Sequence, residues 1–424
     1  MSNNLYKEYV RLQSIRRFIN GIVNDICFRR SVIVLLPTTL KPEIIWPEIQ
    51  TELRYRGVNE QYINLQASPN HQNPVSILVE CLNLKWSDHQ TPHTLSNLPD
   101  CENLPDAICL GGLQNLDEDL TEAWIKTLEI WAQMSQQKKN LGYMPSSICV
   151  VAPAELLISM LPESNVFLSY HWWWGIPSIL ETRFLCRFVE ESDNNSISAR
   201  WREFILPSLS AGDIELLQVL WNTYDSPIKN LTDMLNKYAS DLLWVKEDLI
   251  NLNILNHKYG RNNHSHMKQP PKSIIKLWSK GLINYTPEYG LEVHSAALSI
   301  TNQEDIITHR LWRGQSEFLL PILESIRLDI CQKLTDQFGE HWPIKWDQPN
   351  NEEELKEVKD NPLAASWGYL VHLLRTVKKL HDYVHLQPIA IQCKRMRNFL
   401  AHHRTVDLQS YEHIQEELNS ITTM

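Results

Sequence analysis

The apolar positions along the chain follow two regimes, one mixed and one wholly helical. From Leu5 to Phe28 they return at helical spacing, at Val10, Leu12, Ile15, Phe18, Ile19, Ile22, Val23 and Ile26, which predicts one helix ahead of the first strand. That strand is Ser31–Leu36, and helical spacing resumes over residues 43–56. Short apolar β-like runs come next at 62–65, 75–82 and 107–110, then a helix at 117–136 and a strand at 147–151. Strands alternating with helices predict a parallel α/β sheet. Beyond Asp305 the pattern is helical at 306–337, 362–386, 389–402 and 409–421, with a Glu-rich polar loop at 350–360, which predicts a bundle of four or five helices.

Between these regions, Pro207-Ser208-Leu209-Ser210 reads as a domain boundary, with Ser210 as the N-cap of a helix bearing Ile214, Leu217, Val219, Leu220 and Trp221. Asp225-Ser226-Pro227 opens a second helical segment and Ser240 precedes a third, so three short helices suggest a helix-turn-helix core. Two alternating runs around Pro287-Glu288-Tyr289-Gly290 predict a β-hairpin over 282–294. The expected organisation is an α/β domain over 1–207, a middle domain over 208–300 and a helical bundle over 301–424.

Composition narrows the function classes. With 43% hydrophobic residues and 15 Trp among 424 residues, the chain is an ordinary globular one, and 13 glycines are too few for a fold built on several glycine loops. A net charge of −10 excludes a whole-surface nucleic-acid binder and leaves room only for local basic patches. The N-terminal stretch lacks the apolar core of a signal peptide, and no apolar run approaches the ~20 residues that cross a bilayer, so a cytoplasmic protein without membrane spans is expected. The eight cysteines are scattered without a CxxC pair, which reads as buried thiols in a reducing compartment rather than a disulfide framework or a zinc site.

In an α/β sheet the turn after the first strand is where phosphate is held, by backbone N–H groups and a lysine. Here it reads Leu36-Pro37-Thr38-Thr39-Leu40-Lys41-Pro42, with no glycine and no Gly-Lys-Ser/Thr ending, so Lys41 reads as a solvated loop lysine. The run Ala107–Leu110 ends in Gly111-Gly112 where magnesium-binding acids would stand, and Asp117 and Glu118 read as caps of the next helix. The order of elements over 20–205 resembles the NTPase core of the AAA+ and STAND families, with both Walker motifs degenerate. That resemblance implies a P-loop-NTPase-like scaffold or protein-binding module in which ATP hydrolysis is not expected, and no cofactor is assigned.

The hairpin resembles the wing of winged-helix domains, which follow the lid of AAA+ and STAND proteins as structural modules. A DNA-binding regulator is the disfavoured alternative: the third helix sets Lys246 against Glu247 and Asp248, although the loop after it carries Lys258, Arg261, His264, His266, Lys268 and Lys272. In Tyr170-His171-Trp172-Trp173-Trp174-Gly175 consecutive side chains point to different faces, so the three tryptophans cannot share one core. Packing between domains is favoured over an exposed aromatic binding surface.

The most specific motif is Lys394-Arg395-Met396-Arg397-Asn398-Phe399-Leu400-Ala401-His402-His403-Arg404. A bundle whose late helix carries Arg-Asn, three residues and His is similar to the HEPN superfamily, over about residues 300–424. The resemblance implies metal-free RNA cleavage by a site completed across a dimer, with Arg397 as the motif arginine, His402 as the motif histidine and Asn398 as the polar residue after the arginine. Imidazole titrates near neutrality and suits acid or base work on the 2′-hydroxyl or the leaving oxygen, and guanidinium stabilises charge on phosphate with two prongs. Five positions on a straight helix turn Arg397 and His402 ~140° apart, so two protomers build a joint site more easily than one. Lys394, Arg395, His403 and Arg404 add positive charge that suits an RNA backbone or, equally, a solvated face. The competing structural reading has Arg397 paired with an acid on a neighbouring helix and Asn398 capping a buried turn. His381 and His385 have metal spacing but no third ligand, so no metal is expected.

The expected function is a metal-independent HEPN-type endoribonuclease in bacterial phage defence or toxin-type growth arrest. The alternative is a non-catalytic adaptor or regulatory subunit of a multiprotein defence complex. Expected partners are RNA, a partner protein bound by the inactive sheet domain, and a second copy joined through the bundle.

Overall fold

The computed structural model of the chain describes residues 3–67, 73–84, 94–96, 98, 101, 103–162, 166–188, 197–223, 228–257, 268–346, 349 and 351–422. They divide into two compact units: residues 1–189, 211–215 and 246–297 form one, and residues 190–210, 216–245 and 298–424 the other.

The N-terminal apolar repeat makes two helices rather than one, α1 (Asn3–Tyr9) and α2 (Gln13–Cys27), because Leu12 adopts an extended backbone with φ −55° and ψ 143°. Ile15, Ile19, Ile22 and Ile26 of α2 are buried on one stripe. Then come β1 (Ser31–Leu36), α3 (Pro42–Tyr55) and β2 (Glu60–Asn64). The run expected as a strand at 75–82 is instead helix α4 (Pro74–Cys81). A short apolar run has no period that separates buried strand from helix, and the cap decides: Pro74 stands in the first turn and the Asn73 side chain accepts from Val75 N–H at 2.9 Å. After β3 (Ala107–Gly111), α5 (Glu118–Asn140) is capped by Asp117, which accepts from Leu120 N–H at 2.8 Å as its sequence predicts. The elements β4 (Ser147–Pro153), α6 (Ala154–Leu157), β5 (Leu168–Trp172) and α7 (Ile179–Cys186) follow.

The sheet order is β2-β3-β4-β1-β5 with every pairing parallel, Val32 opposite Cys149 on one side and Ile33 opposite Tyr170 on the other. The strands β1 and β3 are buried at every residue, as a parallel sheet covered on both faces requires, while edge strand β2 is half-exposed. This mixed fold, a five-stranded parallel sheet with many helices, is consistent with an NTPase-like α/β domain plus a helical region.

The boundary expected at Pro207–Ser210 lies inside helix α8 (Ile197–Ser210), so Ser210 ends a helix and caps none. The turn comes one residue later, where Ala211 and Gly212 both take left-handed backbones, φ 50° and 85°. Asp213 then starts α9 (Ile214–Thr223) by accepting from Glu215 N–H at 2.8 Å. Asp225-Ser226-Pro227 lies outside the described residues. Ser240 belongs to α10 (Ile228–Asp241), and the third helix begins only at α11 (Lys246–Asn251), after a left-handed Leu243. After α12 (Ile275–Ser279), β6 (Ile283–Thr286) and β7 (Gly290–Val293) pair antiparallel, the hairpin that the alternation predicts, and α13 (Ser295–Ile300) follows.

The second unit is helical. Helix α14 (Glu304–Phe338) spans 35 residues and packs along α8, where Gly314 lets the backbones close: a methyl group at 314 would lie 2.8 Å from the Phe204 carbonyl oxygen. Trp201, Phe318 and Tyr411 form an aromatic cluster in its core. The short α15 (Trp342–Lys345) precedes α16 (Glu352–Asp360), a helix where a polar loop is expected; the Asn351 cap and three glutamates in the first turn favour it. The rest is α17 (Trp367–Thr376), a 3-10 segment at Lys378–Leu386, α18 (Gln387–Ala401) and α19 (Leu408–Thr422). Among the described residues no helix is long and apolar enough to cross a membrane.

Candidate functional site

Ligands of parallel sheets bind at the carboxyl ends of strands where the connections diverge. In the first unit that place is the end of β1, which hands the chain toward β2 while its neighbour β4 hands it toward β5. Side chains fill it. Tyr9, Thr39, Leu40, Trp173, Asp213, Trp278, Gly281 and His294 surround a cavity of about 30 Å³, room for one water and far below a ligand pocket of several hundred Å³. Gly281 has a left-handed φ of 70° and lies against the Thr39 side chain, which occupies the space of any side chain at 281. Trp278 Nε1–H donates to the Trp173 carbonyl at 3.1 Å, and Asp213 accepts from His294 Nε2–H at 3.2 Å. The His294 proton is fixed there because Nδ1 accepts from Ala296 N–H at 3.2 Å.

Lys41 is exposed, as expected of a loop lysine, and pairs with Glu215 at 3.1 Å. Tyr6 donates to the same carboxylate at 3.0 Å, and burial, then the Glu215 charge, push its phenol up. At the end of β3 the Tyr62 phenol packs over Gly111, and Gly111-Gly112 stand in place of acids that could hold magnesium. Trp173 and Trp174 are buried and Trp172 is half-buried. Trp172 meets Trp278 at 5.5 Å, and Trp174 stacks on Tyr285 of the hairpin at 5.4 Å, so the three tryptophans are spent on packing inside this unit. Of the basic loop after α11, Lys258, Arg261, His264 and His266 lie outside the described residues.

The motif of the second unit stands at and beyond the end of α18. Helical geometry sorts its cations onto two faces. Lys394, Arg397 and Asn398 line a groove of about 500 Å³ with Leu320, Leu323, Glu324 and Arg327 of α14 and Trp367 of α17. Arg395 lies on another face, over the Phe399 ring at 5.3 Å, beside a second groove of about 550 Å³ that Glu412, His413 and Glu416 of α19 also line. The four expected RNA-backbone contacts, Lys394, Arg395, His403 and Arg404, therefore do not form one stripe. Arg397 is exposed and donates to Asn398 Oδ1 at 3.4 Å, and among the described residues no carboxylate lies within ion-pair distance of it. Arg327, by contrast, is committed to Glu324 and to the carbonyls of Leu363 and Ala365; the hydrogen bond from Arg327 holds the Glu324 carboxyl below its ordinary range.

His402 caps α18 and is exposed, as are His403 and Arg404. The cap is a Schellman turn: His403 N–H donates to Leu400 O at 3.2 Å and Arg404 N–H to Phe399 O at 2.8 Å, with His403 left-handed at φ 56°. His402 thus stands exposed at the helix end, five positions beyond Arg397 and just ahead of the left-handed residue that turns the chain. No protein-family model matches the chain, and no curated protein does. A solved structure, the crystal structure of Cdc6p from Pyrobaculum aerophilum, aligns over 73% of this chain and 94% of its own at 11% identity, with a TM-score of 0.30. Overlap that low carries no argument, and the fold rests on the chain's own sheet and helices.

His381 and His385 are exposed on the 3-10 segment, and among the described residues no group of three or more His, Cys, Asp and Glu is placed to hold a metal. Five cysteines are buried, but Cys27 is exposed and Cys81 and Cys101 are half-buried, because those three sit at helix ends or in a loop rather than on inward faces. Burial pushes the Cys109 and Cys393 thiols up to about 12, which keeps them protonated and unreactive. Sequence reasoning passes over Trp312 and Gln315, whose contacts to the motif segment span 88 and 91 residues and leave no local signal.

Proposed function

We propose that the chain is a metal-independent endoribonuclease of HEPN type whose RNA-cleaving groups are Arg397, His402 and Asn398 on the C-terminal bundle. The carrying observation is that Arg397 meets no carboxylate among the described residues while His402 is turned outward at the helix end. A structural arginine in a bundle would be neutralised, as Arg327 is. His402 supplies the acid or base for the 2′-hydroxyl or the leaving oxygen, Arg397 stabilises the charge that develops on phosphate, and Asn398 orients the guanidinium. Because the arginine faces the α14–α18 groove and the histidine leaves the helix elsewhere, the proposal includes a homodimer in which each protomer completes the other's site. By its motif's resemblance to the HEPN superfamily, we read such an enzyme as one of bacterial phage defence or toxin-type growth arrest.

The test compares wild type with Arg397→Ala and His402→Ala on single-stranded and structured RNAs in excess EDTA, with mass measured by light scattering. Cleavage by a wild-type dimer that both substitutions abolish carries the reading. A folded dimer that cleaves nothing, with cell extract added, overturns it.

A second reading draws on the filled end of β1: a non-catalytic adaptor whose NTPase-like domain binds a partner protein and whose hairpin is the wing of a structural module. A pull-down that captures one stoichiometric partner in place of RNA cleavage would favour it.

A further inference from the structure

The exposed segment 401–404, which carries His402, is anchored on both sides by one turn of α14. On its N-terminal side Trp312 Nε1–H donates to Leu400 O at 2.6 Å. On its C-terminal side Gln315, 2% exposed, forms a reciprocal pair with Val406: Gln315 Nε2–H donates to Val406 O at 2.7 Å and Val406 N–H donates to Gln315 Oε1 at 2.8 Å. Trp312 and Gln315 are three residues apart, so they project from neighbouring positions on one helix face. The indole also stacks on the His403 ring, with centroids 4.3 Å apart and planes within 19°.

His403 is where the local backbone is strained. It holds the left-handed position of the Schellman turn, φ 56°, a place that glycine takes freely and a residue with a side chain does not. Such a conformation persists only when its surroundings over-determine it, and those who store it tend to do so at functional sites. Here the stack on Trp312 and the bond to Leu400 supply that determination, because they hold the two residues on either side of the Ala401-His402 pair. Without them the last turn would be free to fray, and the His402 imidazole would sample many directions.

We propose that Trp312 and Gln315 are positioning residues for His402, a clamp from α14 that fixes the α18 cap so that the imidazole leaves the helix in one direction. The clamp acts through the Leu400 carbonyl, the His403 ring and the Val406 backbone, and it touches no substrate. Its effect on rate rests on the endoribonuclease reading, and its effect on the His402 side chain does not.

The experiment uses the full-length protein and three variants. Trp312→Phe keeps a ring to stack and loses the N–H; Trp312→Leu loses both; Trp312→Leu with His403→Gly restores a residue that takes the left-handed turn unaided. Misplaced catalytic groups cost up to about 100-fold in rate, so RNA cleavage should show kcat down ~10-fold for Trp312→Phe and up to ~100-fold for Trp312→Leu, with KM within about twofold. The double variant should regain ~10-fold over Trp312→Leu, since glycine needs no stacking partner there. An unchanged kcat, or a raised KM with no rescue by His403→Gly, overturns the clamp, the latter by making Trp312 an RNA contact. The His402 Cε1–H resonance is followed in parallel: one sharp line in wild type, broadened in Trp312→Leu and sharpened again in the double variant, is the expected result. One identical line in all the proteins overturns the clamp. A wild type that cleaves no RNA sinks the proposed function and leaves the resonance to decide the clamp.

Discussion

The carboxyl end of β1, where a parallel sheet commonly holds its ligand, and the carboxyl end of α18, which carries His402, are finished in opposite ways: side chains fill the first, and the second is left exposed. At β1 the space is taken by Tyr9, Trp173 and Trp278 around about 30 Å³, and the nearby lysine is spent on Glu215. At α18 the last turn presents His402, His403 and Arg404 outward and keeps a left-handed histidine that costs about 1–2 kcal/mol of backbone strain. Buried aromatics stabilise, whereas a strained, exposed cap does not, so the two ends serve different purposes. The sheet end is a packing junction and the helix end is a presented group.

Four measurements bear on that contrast. The largest effect is on chemistry: under the proposed endoribonuclease function, His402→Ala should lower RNA cleavage by about 10²–10⁴-fold, the usual worth of a general acid or base, with an unchanged melting temperature. A melting temperature that falls instead would make His402 part of the core. At the closed end the effect is on stability. Trp173→Ala removes a buried side chain and lowers the unfolding free energy by about 3–5 kcal/mol in urea titrations, because the surroundings cannot collapse into the space. The same variant still shows no ATP-dependent rise in melting temperature, since the turn has no glycines to wrap a phosphate; a rise would reopen the nucleotide question.

A smaller loss, about 1–3 kcal/mol, follows Gly314→Ala, where the new methyl group meets the α8 backbone. The smallest effect is alkaline. Burial, then Glu417, raises the Cys393 thiol from 9.0 to about 12 on the buried face of α18, and burial, then Asp213, pushes the Tyr9 phenol up at the closed end. Both groups stay neutral in the folded chain. Their contribution is present below the unfolded values near 9 and 10 and is lost as pH rises through the folded ones. Urea midpoints should therefore fall above pH 9, less steeply in Cys393→Ala from pH 9 and in Tyr9→Phe from pH 10. Identical slopes in wild type and variants would remove these groups from the account.

Much of the architecture is legible in the chain. The strands at 31–36, 107–110 and 147–151 announce themselves as short apolar runs, and the hairpin at 282–294 by alternation, because strand burial has a local signature. Two readings fail for local reasons of another kind. At 75–82 an apolar run has no period, and Asn73 and Pro74 make it a helix; at 350–360 a Glu-rich stretch reads as loop until its cap is counted. Ser210 misleads because a good capping residue also ends helices, and the turn that follows is set by Ala211 and Gly212.

The candidate site divides the same way. The resemblance to the HEPN motif singles out Arg397, Asn398 and His402, and the absence of glycine after β1 already argues against a phosphate loop. Which cation faces which groove, and that Lys394 and Arg395 part company, follows from the 3.6-residue period once α18 is fixed in the bundle. What fills the end of β1, and what holds the cap of α18, only the tertiary structure decides. Trp278 reaches Trp173 across 105 residues and Trp312 reaches Leu400 across 88. Local propensity fixes elements, but contacts between distant segments depend on how those elements pack, and no stretch of sequence records that by itself.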